Sequence, residues 1–264
     1  MNIENTFNPK RFMLLFKKDL IQGYRPLLIT LAAAVGATFF LLLVSTPGEV
    51  SQEVHMGLFT PMLWAGGLIF TSLIFKEAHA LNQIHGWLMT PASRLEKYLQ
   101  KLLLTTVFFT LALIVTFFTA SALNTLVYLL FFSQRPPLFN PFQSWVWINI
   151  GHYMIVQSIF FLGAAWFRKF NFVKTVLTLN VLQIAAALVL GLIAGLVYWT
   201  PIREASHGNA AWFMEAGQIL TLRFTSVNPA LITIGKVVYF GLLAPFFWIV
   251  SWLRMKEIEV KDGI

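Results

Sequence analysis

Residue types able to do chemistry are sparse in this 264-residue chain. Its five His residues, at positions 55, 79, 85, 152 and 207, are scattered, no HExxH string occurs, and no Cys is present. A metal site needs such ligands at close spacing, so the pattern favours solvated or interfacial His. No nucleophile–base pair or metal-ligand cluster falls in the apolar stretches either. The sequence therefore predicts no metal, no bound cofactor and no catalytic residue.

A chain that hydrolyses ATP through the common phosphate-binding loop needs the string G-x-x-x-x-G-K-[ST], which is not present. Gly235-Lys236 is the only Gly-Lys pair. It lacks both the earlier Gly and the following Ser or Thr. We therefore expect this chain not to be an ATPase of that kind.

A few polar side chains interrupt the apolar stretches, where each is costly and tends to face protein or water. At 100° per residue Asn149, His152 and Gln157 fall within about 140° of arc, and two more lie three residues apart, Asn180 and Gln183. Interhelical hydrogen bonding and a substrate pathway both fit, and we favour the first. Lys236 is close enough to the end of its stretch to snorkel, which we favour over a substrate contact.

Residues 76–101 form a polar segment between two apolar stretches. Pro91 suits the start of a helix, and Ser93 with Glu96 forms an S-x-x-E capping box. This pattern predicts a helix that begins at Ser93 and continues into the next apolar stretch. The preceding residues 83–89 place Ile84, Trp87 and Leu88 on one face. Such a short amphipathic helix fits a groove on a partner protein, or else lies in the membrane interface.

The elements around this segment are membrane spans. Hydrophobic residues make up 58% of the chain and charged residues 11%, which is too apolar for a soluble domain. Six stretches reach the length that crosses a bilayer: 27–44, 57–75, 102–132, 145–167, 176–199 and 230–253. The third is long enough that it must tilt, protrude or break, with Asn124 as the candidate break. The sequence predicts one all-α integral membrane domain over residues 1–264.

The N-terminal arm, residues 1–26, predicts an amphipathic helix in the membrane interface. Phe12, Leu15, Phe16 and Leu20 share a face, while the basic side chains lie largely off it and are expected to face anionic lipid headgroups. The basic residues assigned to this helix are Lys10, Arg11, Lys17 and Lys18.

Fifteen of the nineteen Lys and Arg residues lie in the N-terminal arm, residues 76–101, residues 168–174 and the C-terminal tail. The positive-inside rule then predicts that both termini and residues 76–101 are cytoplasmic. The net charge of +8 is explained by this topology, so no nucleic-acid partner is expected. Gly191 and Gly195 form a G-x-x-x-G pattern that favours close helix packing, either within the chain or in a homodimer or heterodimer.

Thr90, Pro91, Ser93, Arg94 and Lys101 match the spacing of a segment between the second and third spans of type-2 ATP-binding-cassette permeases, which this chain resembles. Asn82 and Gln83 stand where such proteins often have Gly-Thr. The resemblance implies a permease subunit that dimerises, pairs with a separate ATPase subunit holding ATP and Mg, and exports a substrate across the inner membrane. The residues it assigns to ATPase coupling are Gln83, Ile84, Trp87, Leu88, Thr90, Pro91, Ser93, Arg94, Glu96 and Lys97. The alternative is a non-transporting scaffold or regulatory subunit of a membrane complex.

Overall fold

The computed structural model describes residues 7–44, 52–76, 89–197 and 229–261. Within these ranges the chain is built from helices and contains no strand. We label them α1 (Pro9–Val44), α2 (Gln52–Leu73), α3 (Arg94–Phe132), α4 (Ser144–Trp166), α5 (Asn171–Val197) and α6, which consists of Pro229–Val237, Val238–Leu242 and Leu243–Lys261. Each of the six contains a stretch long and apolar enough to cross a membrane, so this is a multi-pass membrane protein.

Helix α1 joins the N-terminal arm to the first span without interruption, although the sequence suggested a boundary at Leu27. The helix passes through Pro26, whose missing N–H normally weakens a helix interior. Both sides of this proline are anchored by other helices. Asp19 before it is bound by α3, and after it Thr38 is fully buried with its hydroxyl 3.7 Å from Met62 Sδ in α2. Contacts on both sides of Pro26 therefore keep α1 continuous, where the composition indicated two separate helices.

Helix α3 is also uninterrupted, and Asn124 is buried within it rather than marking a break. Its 39 residues at about 1.5 Å per residue exceed the ~30 Å of hydrocarbon by nearly a factor of two. The helix therefore extends beyond the hydrocarbon. A π-helical turn, Leu104–Phe108, follows the first ten residues, and a second π turn, Met62–Gly66, lies in α2. The sequence pattern indicated neither.

The connection between α3 and α4 is fastened by one buried phenylalanine, Phe139. Its ring centroid lies 5.6 Å from those of Phe59 and Phe117, and its backbone N–H donates to Ser121 Oγ at 2.9 Å. His55 Nε2 lies 3.3 Å from the same oxygen. A small polar cluster therefore lies among these aromatic rings, where α2, α3 and this connection meet. It consists of His55, Ser121 and the Phe139 N–H.

At the other end, the last turns of α2, α4 and α6 pack around the first turns of α3. The buried side chains of this cluster are Phe75, Tyr98, Phe161, Ala164, Ala165 and Met255. Asn171, at the start of α5, donates from its amide to the carbonyls of Ser72 and Ala164, each at 3.3 Å. Five helix ends are thus joined on one side of the bundle.

Residues 173–243 form a compact unit separate from the rest. Within it, most large apolar side chains of α5 from Leu177 to Ile193 are exposed. In a bilayer such a surface faces acyl chains or another protein. A Cβ at Gly191 would meet no other atom within 4 Å, so this glycine lies on an open helix surface. Gly195 lies in α5 as well.

Helices α2 and α4 approach closely at Gly67, where there is no room for a side chain unless a buried ring moves. A Cβ at Gly67 would lie 2.7 Å from Tyr153 Cζ, whereas one at Gly66 would lie 3.6 Å from Phe109 Cζ, an ordinary contact. We expect Gly67→Ala to destabilise the protein by about 1–3 kcal/mol because the buried ring must shift.

The matched control is Gly66→Ala, which we expect to be neutral or slightly stabilising because Ala is the better helix former. Thermal unfolding of the detergent-solubilised protein checks both variants. Equal melting temperatures for the two would contradict this packing.

Candidate functional site

The first turns of α3 make polar contacts to several other helices, and we call residues 90–101 the hub segment. The helix begins with the predicted capping box. Ser93 Oγ accepts from the Glu96 N–H at 3.2 Å, and Glu96 Oε2 accepts from the Ser93 N–H at 2.8 Å. The prediction from the S-x-x-E string is confirmed.

The same carboxylate also binds the start of α1. Glu96 Oε1 accepts from the backbone N–H of Asn8 at 2.7 Å and from Arg11 Nη2 at 3.2 Å. Asn8 Oδ1 in turn accepts from the Lys10 N–H at 2.9 Å. Glu96 is fully buried, while the Arg11 side chain is 27% exposed. One carboxylate therefore lies at the N-termini of two helices, where the helix dipoles favour negative charge.

A second set of contacts fixes α1 against α3 about two turns further along. Asp19 Oδ2 accepts from Gln100 Nε2 at 2.9 Å and lies 3.6 Å from Lys101 Nζ. Lys18 Nζ donates at 3.4 Å to Oγ1 of Thr90, which lies just before α3. Between the two sets of polar contacts Leu15 is buried. No partner for Asp19 could be predicted from the sequence, although Asp19 is the only carboxylate between Pro9 and Val44.

Part of the apolar face of α1 packs on α3. The Phe16 ring lies 5.3 Å from Phe108 of α3, and Leu15 is buried. Arg11 pairs with Glu96. The exposed basic residues of this arm are Lys10, Lys17 and Lys18. A helical wheel shows which faces of α1 are polar, but it does not show that the neighbouring helix α3 contributes the buried carboxylate of Glu96.

The opposite face of the hub segment binds α4 and α6 through Tyr98. Its hydroxyl donates to the Trp248 carbonyl at 2.6 Å and lies 2.7 Å from Ser251 Oγ. The Tyr98 ring is 5.5 Å from Phe161 of α4 and 5.2 Å from Trp252 of α6. The sequence analysis did not identify Tyr98 as a functional residue. The available indication was the position of Tyr98 two residues after the capping residue Glu96.

The π turn that follows the hub segment is bound by α4. The Thr105 carbonyl accepts from the Tyr153 hydroxyl at 3.0 Å, and Thr105 Oγ1 accepts from Gln157 Nε2 at 2.8 Å. Trp248 Nε1 donates to Gln157 Oε1 at 3.4 Å. The expected interhelical role of Gln157 is confirmed. A π turn leaves backbone carbonyl groups without their regular helical hydrogen bonds. Donors from a neighbouring helix, such as Tyr153 and Gln157, satisfy such groups.

The other polar residues of the apolar stretches are differently placed. Asn149 and Asn180 each donate to the carbonyl four residues earlier in their own helix, so neither joins two helices by this bond. His152 is half-buried on α4, and Gln183 and Lys236 are exposed. Gln157 of this set therefore joins two helices, through its bond to Thr105.

The predicted coupling residues divide into two groups. Gln83, Ile84, Trp87 and Leu88 lie outside the described residues. Of the described ones, Pro91 is exposed and Thr90 and Arg94 are half-buried. Ser93, Glu96 and Lys97 are buried. The buried side chains hold the hub segment in place, while Thr90, Pro91 and Arg94 reach its surface.

Comparison of the whole chain with protein-family models, curated proteins and solved structures found no match. The likeness to type-2 ATP-binding-cassette permeases therefore stays a prediction that depends on the hub segment.

We expect Glu96→Gln to destabilise the protein by about 2–4 kcal/mol. The amide removes the charge that pairs with Arg11, and its NH2 group faces backbone N–H donors that need an acceptor. Thermal unfolding of the detergent-solubilised chain measures the loss. In a double-mutant cycle with Arg11→Met we expect a coupling above about 1 kcal/mol because the two side chains are in contact.

Glu257→Gln is the matched control. Glu257 pairs with Arg254 three residues earlier, but its side chain is 66% exposed, so we expect a loss below about 1 kcal/mol. A Glu96→Gln effect no larger than this would show that the buried carboxylate does not hold the two helices.

Proposed function

We propose that this chain is the membrane-spanning permease subunit of an ATP-driven exporter, powered by a separate ATPase subunit that docks at residues 83–97. The observation that carries the proposal is a coincidence of two features in the hub segment. The Thr90, Pro91, Ser93, Arg94 and Lys101 spacing falls on a segment that binds α1 through Glu96 and Asp19 and binds α6 through Tyr98.

An external energy source fits the sequence and the shape of α3. The chain has no phosphate-binding loop, so ATP-driven transport requires a partner that supplies one. Helix α3 is longer than the hydrocarbon requires, which supports a helix end outside the bilayer that a soluble partner can reach. The positive-inside rule favours the cytoplasm for that side, where ATP is found.

In the proposed mechanism the ATPase pushes on the residues before Ser93, and the hub segment passes the displacement to three helices. Glu96 passes it to α1, because the carboxylate holds both helix starts. Tyr98 passes it to α4 and α6 through two ring contacts and a hydrogen bond. The π turn at Leu104–Phe108 lies directly after these contacts and is the natural point for α3 to bend.

The proposal places the subunit in the inner (cytoplasmic) membrane as a dimer with a second permease subunit. The exposed apolar surface of α5, with Gly191 at an open position, supports an interface that includes Gly191 and Gly195. The proposal does not extend to a substrate.

Affinity purification of the tagged chain from its native membranes tests the assignment. We expect a protein with the G-x-x-x-x-G-K-[ST] loop to co-purify. Arg94→Glu and Trp87→Ala should each lower its recovery by roughly tenfold, because both change the proposed docking surface.

Lys10→Glu is the control, since it makes the same charge change on an exposed arm residue and should leave recovery unchanged. If no nucleotide-binding protein co-purifies with the wild-type chain, the scaffold or regulatory role replaces the exporter. If Arg94→Glu and Trp87→Ala both leave recovery intact, docking at this segment is wrong.

A further inference from the structure

Two packed clusters lie at opposite ends of the described bundle. The first, which we call the Phe139 cluster, consists of His55, Phe59, Phe117, Ser121, Phe139 and Trp145. The second, the Phe161 cluster, consists of Phe75, Tyr98, Phe161, Ala164, Ala165 and Met255. Helices α2, α3 and α4 each contribute to both clusters. The segments of these three helices between the clusters therefore decide whether one end can move relative to the other.

Helix α2 changes its packing partner between the two clusters. Before the π turn Met62–Gly66, the Phe59 ring packs on Phe117 of α3 with 5.2 Å between the centroids. After the turn, Gly67 lies directly against the Tyr153 ring of α4, and this part of α2 packs mainly on α4. A π turn adds one residue to a helical turn, which rotates the later side chains relative to the earlier ones. The turn therefore lies where α2 passes from α3 to α4.

The sequence of α2 at this point is suited to bending. Pro61 comes directly before the π turn, Gly66 ends the turn and Gly67 follows it. Prolines, paired glycines and π turns are the usual places where helices kink, because each of them weakens the regular backbone hydrogen bonding or the packing around it. All three features occur between Pro61 and Gly67.

Helix α3 has a weak point of its own beside that of α2. Its π turn, Leu104–Phe108, follows the hub segment. The Thr106 hydroxyl donates to the Leu102 carbonyl four residues earlier at 2.8 Å, a side-chain bond that often bends helices. A Cβ at Gly66 of α2 would lie 3.6 Å from Phe109 Cζ of α3. The two π turns therefore lie side by side.

One side chain of α4, Tyr153, contacts both weak points. Its ring lies against Gly67 at the end of the α2 turn, and the ring centroid is 5.9 Å from that of Phe109. Its hydroxyl donates to the carbonyl of Thr105, inside the α3 turn, at 3.0 Å. Helix α4 itself is regular α-helix over Ser144–Trp166. A fully buried ring on an unbroken helix thus touches the places where two other helices are weakest.

We propose that the bundle has a hinge at this level, formed by the π turns of α2 and α3 with Tyr153 as the pivot between them. The hinge lets the Phe161 cluster tilt relative to the Phe139 cluster while each cluster stays packed. Packed helices shift between discrete arrangements rather than deforming continuously, so the hinge has two positions. The Tyr153–Thr105 hydrogen bond stabilises the position seen in this structure.

Helix α1 is able to follow this motion. It contacts α3 on both sides of the α3 turn, through Arg11 with Glu96 and through the Leu43 carbonyl with Tyr128. Pro26 lies between these contacts and removes one backbone hydrogen bond there. The hinge rests on helix packing alone and does not depend on the exporter proposal, so it would stand even if no ATPase co-purified.

Double electron–electron resonance between two spin labels on the full chain in lipid nanodiscs tests the hinge. The chain has no Cys, so introduced Cys residues carry the labels. Leu73→Cys with Leu126→Cys places exposed labels on opposite sides of the hinge, and Met56→Cys with Leu126→Cys places them on the same side. Leu73 lies ~14 Å beyond the middle of the α2 turn, so a kink of about 20° moves it by about 5 Å. We expect two distances about 5 Å apart for the first pair and one narrow distance for the second.

Removal of the α2 turn should lock the hinge. Deletion of Ala65, an exposed residue of the turn, removes the extra residue and should restore regular α-helix. We expect the Leu73–Leu126 distribution to narrow to one distance. Ala65→Leu keeps the residue count and is the matched control, which should retain both distances. A melting temperature near that of the wild type shows that each variant is folded.

Loss of the pivot hydrogen bond should release the hinge. We expect Tyr153→Phe to raise the ratio of the second distance to the first by roughly two- to tenfold, the effect of one hydrogen bond. Tyr128→Phe is the control, because its hydroxyl also donates to a backbone carbonyl, that of Leu43 at 3.5 Å, but away from both π turns. It should leave the ratio unchanged. This comparison decides the question even if the Ala65 deletion variant does not fold.

Four outcomes would overturn the hinge. One narrow Leu73–Leu126 distance in both the wild type and Tyr153→Phe would mean a rigid bundle. Equal breadth for the two label pairs would mean general softness. A distribution unchanged in a folded Ala65 deletion variant would remove the π turn from the account, and equal changes in Tyr128→Phe and Tyr153→Phe would remove Tyr153 as the pivot.

Discussion

The arrangement of this protein depends on one buried carboxylate that lies at the start of two helices. Glu96 accepts hydrogen bonds from the backbone N–H groups of Ser93 and Asn8 and from the Arg11 guanidinium. A fully buried charge is stable only when such donors surround it. The first residues of α1 and α3 are therefore fixed together, and neither helix can shift along its axis without breaking a charge-assisted hydrogen bond.

The remaining contacts of α3 follow from this fixed start. Asp19 with Gln100 and Lys101 aligns the next turns of α1 and α3, while Tyr98 and Thr105 bind α6 and α4 from other faces. Hydrogen bonds between helices inside a membrane are each worth only about 0.6–2 kcal/mol, so the strength of this region comes from their number and from the aromatic packing around Phe161. This concentration of contacts makes the hub segment a suitable place for a partner to move several helices at once.

Length, apolar composition and local strings were enough to predict much of this structure. They predicted six membrane-spanning helices, the capping box at Ser93 and an interhelical bond for Gln157. They did not predict the continuous α1, because Pro26 argues for a boundary and only the contacts on both sides of it oppose one. The Arg11–Glu96 pair joins residues 85 positions apart, and the π turns have no local sequence signal, so both required the tertiary structure. The pattern of the basic arm also gave no sign that Arg11 pairs with a carboxylate of α3.

Hydrogen exchange of the wild type and Glu96→Gln measures directly whether one carboxylate fixes both helices. In the wild type we expect slow exchange in peptides that cover residues 8–15 and 93–100. In the variant both peptides should exchange faster to a similar extent, because both lose an acceptor, while peptides around Ser121 and Phe139 should not change. Faster exchange in only one of the two peptides would contradict the account, since it would mean that α1 and α3 begin independently.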